Sequence, residues 1–246
     1  MNCSVIARGA AICDAHGAAI PMTTGSVVEF YIEPIFPHVG DIDVMYHWND
    51  ELAIPAEHLP PRYLASEFSN YVEVYEIIGS HLLRYVYLKR RYSLTKCTGQ
   101  EKYNAVECDK LYLANTLCLE TNPNHHIQGP AICYTPPIKA LLSVELVFSV
   151  RCLVWPPQAA DWPTRHRNYG WPESATLDRV VNNGCDVVGG VHRQCRQDER
   201  MGKGQHRLSF SRAEIVGLLI NTWMPAQQIV YHMLRYFVKT ERLTEC

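Results

Sequence analysis

Asp41-Ile42-Asp43-Val44-Met45-Tyr46-His47, residues 41–47, alternates in character along an extended chain. Ile42, Val44 and Tyr46 fall on one face, and Asp41, Asp43 and Met45 on the other. The run therefore reads as a strand with two carboxylates pointing the same way. Acids held that close repel, which costs free energy unless a cation sits between them. Hard oxygen ligands with open positions suit a Mg²⁺ ion that also bridges to substrate phosphates. A lone D-x-D is more commonly the polar face of an edge strand, so the pair gains meaning only from its surroundings.

Upstream stands Thr24-Gly25-Ser26, ahead of Val27–Ile32, which is β-branched or aromatic apart from Glu29 and reads as a strand. Glycine lets backbone approach a ligand, and a serine hydroxyl with nearby N–H groups holds phosphate. Pro34, Pro37 and Gly40 make 33–40 a loop, and Pro55, Pro60 and Pro61 do the same for 53–62. Residues 1–24 show no clear period. Tyr71–Ile78 and Tyr85–Tyr92 read as an antiparallel hairpin turning at Gly79-Ser80-His81. Leu111, Ala114, Leu117 and Cys118 repeat at helical spacing up to Asn122-Pro123-Asn124.

Val144–Val154 is a further strand-like run with an acid, Glu145, in its midst. Two acids from one strand and a third from another are able to hold two metal ions in line with a transferring phosphoryl or nucleotidyl group. Read alone, Glu145 is equally a solvent-facing strand residue. The tail differs. Ser211-Arg212-Ala213-Glu214 is a capping-box pattern opening an apolar run, and Pro225 suits the first turn of a second helix. In that helix Ile229, Met233 and Phe237 fall four apart. Strands first and helices last argue an α+β fold with a helical second lobe.

The chain has 246 residues, 47% of them apolar, which suffices for a core and excludes a disordered polypeptide. Its formal net charge of −2 excludes a uniformly basic nucleic-acid binder. That total is uneven. Residues 1–83 carry two basic and eleven acidic residues, a net of −9, while 84–246 carry a net of +7. Such a division fits a metal-holding part and an anion-holding part, and equally two unrelated solvated faces. No apolar run approaches the ~18 residues of a membrane helix, and the N-terminus lacks the features of a signal peptide. The ten cysteines include no C-x-x-C pair and read as reduced thiols of a cytoplasmic protein. Cys185, His192 and Cys195 offer three soft ligands where a structural zinc site takes four, so zinc is not expected.

A longer series of motifs extends the reading. Thr24-Gly25-Ser26 and Asp41-Ile42-Asp43-Val44-Met45-Tyr46 are followed by Trp155-Pro156, then Trp162, Arg165, Arg167 and Tyr169-Gly170-Trp171-Pro172. Arg207-Leu208-Ser209-Phe210-Ser211 comes next, with Ala213-Glu214 after it. Together these residues resemble the nucleotidyltransferases of the cyclic GMP-AMP synthase family, including the cGAS-like receptors and the male-abnormal (Mab) proteins, over about residues 23–242. The resemblance implies a nucleotidyltransferase-fold lobe with a mixed sheet, followed by a partial helical lobe. It implies that Asp41, Asp43 and Glu145 are catalytic and hold Mg²⁺, with Mn²⁺ as the alternative ion. Gly25 and Ser26 would contact a triphosphate, and Arg207, Ser209, Ser211 and Glu214 would line the nucleotide pocket. Arg235 stands where such proteins carry a phosphate-binding lysine. The implied activity is synthesis of a cyclic dinucleotide from ATP and/or GTP on sensing double-stranded RNA, as in innate immunity, without a membrane partner.

The chain departs from the family's pattern in places. Glu145 stands where an aspartate is usual, and residues 1–24 do not read as the long helix expected there. The helical lobe would run beyond Cys246, so the chain is expected to be cut at both ends. The expected organisation is an irregular segment over 1–24, a catalytic lobe over 25–172, and a linker with the start of a helical lobe over 173–246. An inactive member or fragment that binds nucleotide, nucleic acid or a protein partner is the alternative.

Overall fold

The computed structural model describes residues 18–24, 42–81, 85–108, 113, 125–128, 131–134, 143–166, 172–189 and 206–209, and positions 226, 229–231, 233–234 and 237. Ten strands appear among them: β1 (Ala19–Thr24), β2 (Ile42–Pro55), β3 (Tyr71–Gly79), β4 (Tyr85–Lys96), β5 (Tyr103–Glu107), β6 (His125–Gln128), β7 (Ala131–Tyr134), β8 (Val144–Cys152), β9 (Cys185–Gly189) and β10 (His206–Ser209). Two helices, α1 (Asp161–Thr164) and α2 (Ser174–Asn182), lie between β8 and β9. This is the expected α+β composition. Among the described residues, no helix is long and apolar enough to cross a membrane.

All ten strands belong to one mixed sheet, and its pairing closes on itself. The hydrogen-bonded path runs from β2 through β3, β4, β10, β9 and β8, and β8 pairs back with β2. The long β2 makes this possible. One of its edges pairs β1 over Asp43–Trp48 and then β3 over Glu51–Pro55, while the other pairs β8. The β2–β3 and β2–β8 pairs are parallel, and the remaining ladders are antiparallel. Beyond the ring, β7 and β6 extend the sheet from the N-terminal half of β8, and β5 adds to β4.

Paired residues share a face, so register identifies the ring's two sides. Ala53, Tyr75, Ile77, Leu88, Val86, Val187, Val150, Cys185 and Cys152 form one buried cluster drawn from five of the six ring strands. The pairings Ala53↔Tyr75, Ile77↔Leu88, Val150↔Val187, Cys152↔Cys185 and Ala53↔Cys152 carry this cluster round the inner side. Burying each aliphatic side chain stabilises by about 1.5–3 kcal/mol. On the outer side Leu52, Ile54, Val72, Val74 and Leu94 form a second core, capped by Leu64, Phe68 and Tyr103. Residues Leu88 and Tyr92 are an even number apart yet serve opposite faces. The register of β3 with β4 shifts between Val74 and Tyr75, leaving Arg91 as an extra residue between Arg90 and Tyr92.

Several expectations are met here. The alternation at 42–46 is a strand, the hairpin is β3 and β4, and positions 226–237 that are described are helical. Others are corrected. Ala53–Pro55, expected in a loop, is the paired end of β2, because a proline at a strand's last residue loses no needed ladder bond. Ala19–Thr24, expected to be irregular, is a strand held by β2. The strands β9 and β10 fall in the stretch read as linker and helical lobe, yet both belong to the ring. The runs 27–32, 33–40, 111–112, 114–118 and 211–220 lie outside the described residues.

Candidate active site

The site begins with the register of two parallel strands. Along β2 and β8, Ile42 pairs Val144, Asp43 pairs Glu145, Val44 pairs Leu146 and Met45 pairs Val147. Neighbouring strands lie about 4.8 Å apart, so Asp43 and Glu145 are side-by-side acids on the outer side of the ring. The opposite face explains why the strands sit here. Tyr46 stacks on Phe148 at 5.8 Å between ring centroids, and Trp48 stacks on Phe148 at 5.7 Å. This aromatic packing holds β2 and β8 in the register that brings the two carboxylates together.

The row extends to either side. Thr24, the last residue of β1, pairs with Asp43, and Gly25-Ser26 follow directly in the chain. Across β8, Cys133 pairs with Glu145 and its thiol donates to Glu145 Oε1 at 3.6 Å. His126 is next in register, opposite Cys133. Two carboxylates side by side on one face are a donor set that fits a hard divalent cation. The third expected acid, Asp41, lies two residues upstream of Asp43, outside the described residues. Among the described residues no group of three His, Cys, Asp or Glu side chains has the geometry of a complete metal site.

The same outer face continues along β8 to Ser149 and Arg151. Ser149 pairs with Val188 and Arg151 with Asp186, and these pair in turn with Arg207 and Ser209 of β10. Register thus sets the positions of Arg207 and Ser209 on the face that carries Asp43 and Glu145. Glu145 and Ser149 are four residues apart, roughly 13 Å, and β10 lies two strands beyond β8. Arg151 is buried and donates to the carbonyl oxygens of Cys185 at 3.0 Å and Cys152 at 3.3 Å, and to that of Asn183. It braces the turn from α2 into β9. Gly184 makes that turn at φ +72°, where a Cβ would press on Cys152 O and lie 2.9 Å from Leu153 C.

A second polar group sits at one end of the ring's inner side. Glu51 and Glu73 are register partners on β2 and β3. Arg90 pairs with Glu73 at 2.7 Å, and the Tyr75 hydroxyl lies 3.1 Å from Glu73 Oε2 and 3.5 Å from Glu51 Oε1. Burial, then the charges of Asp50 and Glu73, push the Glu51 carboxyl from 4.5 up to about 7, against the lowering effect of the Tyr75 hydroxyl. Burial and the same two glutamates also raise Tyr75. These groups face the core rather than the Asp43–Glu145 face.

The expected site residues therefore divide. Asp43 and Glu145 are brought together, and Arg207 and Ser209 share their sheet face. Gly25, Ser26, Asp41, Ser211, Glu214 and Arg235 lie outside the described residues. Trp155 and Trp162 of the motif series pack at 5.4 Å, and Arg165 pairs with Asp161 at 2.6 Å within the turn after β8. Cys185 is fully buried beside Cys152 in the ring core, and His192 and Cys195 lie outside the described residues. Sequence reasoning missed Cys133. Gly129-Pro130 between two short runs, 125–128 and 131–134, was the hairpin signal that placed it.

One comparison with known proteins bears on these residues. The family model for the Mab-21 protein nucleotidyltransferase domain matches residues 92–218, more than half of the chain. No curated protein matches the chain. The matched span contains Glu145, Arg207, Ser209, Ser211 and Glu214, and it begins after Asp43.

Proposed function

Because the chain belongs to the Mab-21 nucleotidyltransferase family, we propose that it transfers nucleotidyl groups at the outer face of the ring, with Asp41, Asp43 and Glu145 holding Mg²⁺ or Mn²⁺. The observation that carries this reading is the β2–β8 register. It joins Asp43, upstream of the matched span, to Glu145 inside it, across about a hundred residues of chain. A divalent cation held there by Asp41, Asp43 and Glu145 would supply charge neutralisation for a triphosphate and activation of the attacking hydroxyl. The residues orient the reactants around it. Gly25 and Ser26, directly after the strand that pairs with Asp43, cradle the triphosphate. Arg207, Ser209, Ser211 and Glu214 receive the nucleotide two strands away, and Arg235 meets phosphate.

The specific reaction we propose is the formation of a cyclic dinucleotide from ATP and/or GTP, switched on by double-stranded RNA in cytoplasmic innate immunity. Purified protein incubated with labelled ATP and GTP, Mg²⁺ and duplex RNA is expected to release a dinucleotide. Mass spectrometry identifies it. Omitting RNA tests the activator separately from the chemistry. No product from any nucleotide pair, with Asp43→Asn behaving as the parent chain, would refute the activity. Nucleotide binding without turnover would instead support the inactive-member alternative, for which the glutamate at position 145 is the motivating residue.

A further inference from the structure

We propose that Cys133 is a positioning residue for Glu145, its thiol holding one carboxylate oxygen so that the other is presented beside Asp43. The inference rests on the metal-site reading given above. Its basis is one row of residues on three adjacent strands: Cys133 on β7, Glu145 on β8 and Asp43 on β2. The thiol is 3% exposed and donates to Glu145 Oε1 at 3.6 Å. A thiol has a single weak donor, and here it is directed at one oxygen of one acid.

The need for such a contact follows from the side chain. Glutamate carries one more rotatable bond than aspartate, so its carboxylate samples more positions and loses more freedom when fixed. A buried partner that engages Oε1 removes part of that freedom beforehand and leaves Oε2 free to bind. The neighbour must also be small. Cys133, buried on β7 directly opposite Glu145, is a small residue. Outer partners that orient a metal-binding carboxylate typically change metal affinity tenfold or more when removed, and a thiol is at the weak end of that range.

The test is Mn²⁺ binding by the full chain, followed by electron paramagnetic resonance, for the parent, Cys133→Ala, Cys133→Ser, Glu145→Asp and Asp43→Asn. Cys133→Ala is expected to weaken Mn²⁺ binding about tenfold. Cys133→Ser, which keeps a donor, is expected to stay within about twofold of the parent. In the Glu145→Asp background, whose carboxylate no longer reaches the thiol, Cys133→Ala is expected to have no further effect. Melting curves without metal separate loss of fold from loss of affinity. In turnover, the KM for metal rises while kcat at saturating metal is kept. Parent-like binding by Cys133→Ala, or an equal loss in Cys133→Ser, overturns the inference. If Asp43→Asn loses Mn²⁺ while Cys133→Ala does not, this inference alone falls. If the parent binds no Mn²⁺, or Asp43→Asn binds it equally well, the metal-site reading falls and takes the inference with it.

Discussion

Replacing Glu51 by glutamine tests the electrostatics of the ring directly. Glu51 is 8% exposed and faces Glu73 in register, and the Arg90 guanidinium sits on Glu73 at 2.7 Å. The Tyr75 hydroxyl is shared between the two acids and is 3.5 Å from Glu51. Glu51 therefore holds its proton up to about 7 in the folded chain, against 4.5 ordinarily. Because the native state binds the extra proton, stability is full below pH 4.5 and declines as pH rises through 7. At 1.36 kcal/mol per pH unit, ionising this buried acid costs the native state about 3 kcal/mol above neutrality. Glutamine keeps the shape and hydrogen-bonding ability but carries no charge. Urea denaturation at pH 5.0, 6.5 and 8.0 is the assay. Glu51→Gln is expected to lie within about 1 kcal/mol of the parent at the lowest pH and to exceed it by up to about 3 kcal/mol at the highest. A difference that is the same at every pH, or a loss of stability at pH 8.0, would refute the reasoning.

Gly184→Ala is expected to destabilise by about 2–4 kcal/mol, because the residue is left-handed and the new Cβ meets backbone at Cys152 and Leu153. A thermal midpoint within a degree of the parent would contradict it. Arg90→Met removes the ion pair on Glu73, beside the ionised Glu51, and is expected to cost about 2 kcal/mol at pH 8, and less at pH 5 where Glu51 is protonated. Urea midpoints at the two pH values check the sign. Asp43→Asn is expected to abolish stabilisation of the fold by Mn²⁺. Melting curves with and without the ion check it.

Alternation at 42–46 and 144–150 and the turn at Gly79-Ser80-His81 were legible because they are local: side-chain period and turn residues act within a few positions. The strands β1, β9 and β10 were not. Each has four to six residues and gains its strand character from partners elsewhere in the chain. Ala19–Thr24 contains a proline and two threonines and becomes a strand because the first half of β2 offers it an edge. Cys185 shows the same limit. As a sequence feature it looked like part of a ligand set, and in the fold it is an apolar-like residue beside Cys152 in the ring core.

By itself the sequence determined that this chain is α+β, that Asp43 and Glu145 lie on strands with an apolar opposite face, and that its motifs are those of a nucleotidyltransferase family. Only the tertiary structure decided which acids meet. Register between β2 and β8 joins residues 43 and 145 and is set by the aromatic stack of Tyr46, Trp48 and Phe148 on the far face. A slip of one residue would turn Glu145 to the opposite side. Closure of the ring likewise turned Glu51 from an ordinary strand carboxylate into a buried one, and the pairing of β7 with β8 brought Cys133 beside Glu145. Local spacing carries the direction in which a side chain points. Its neighbours depend on pairings between distant segments, and the hydrophobic burial of the whole chain selects those pairings.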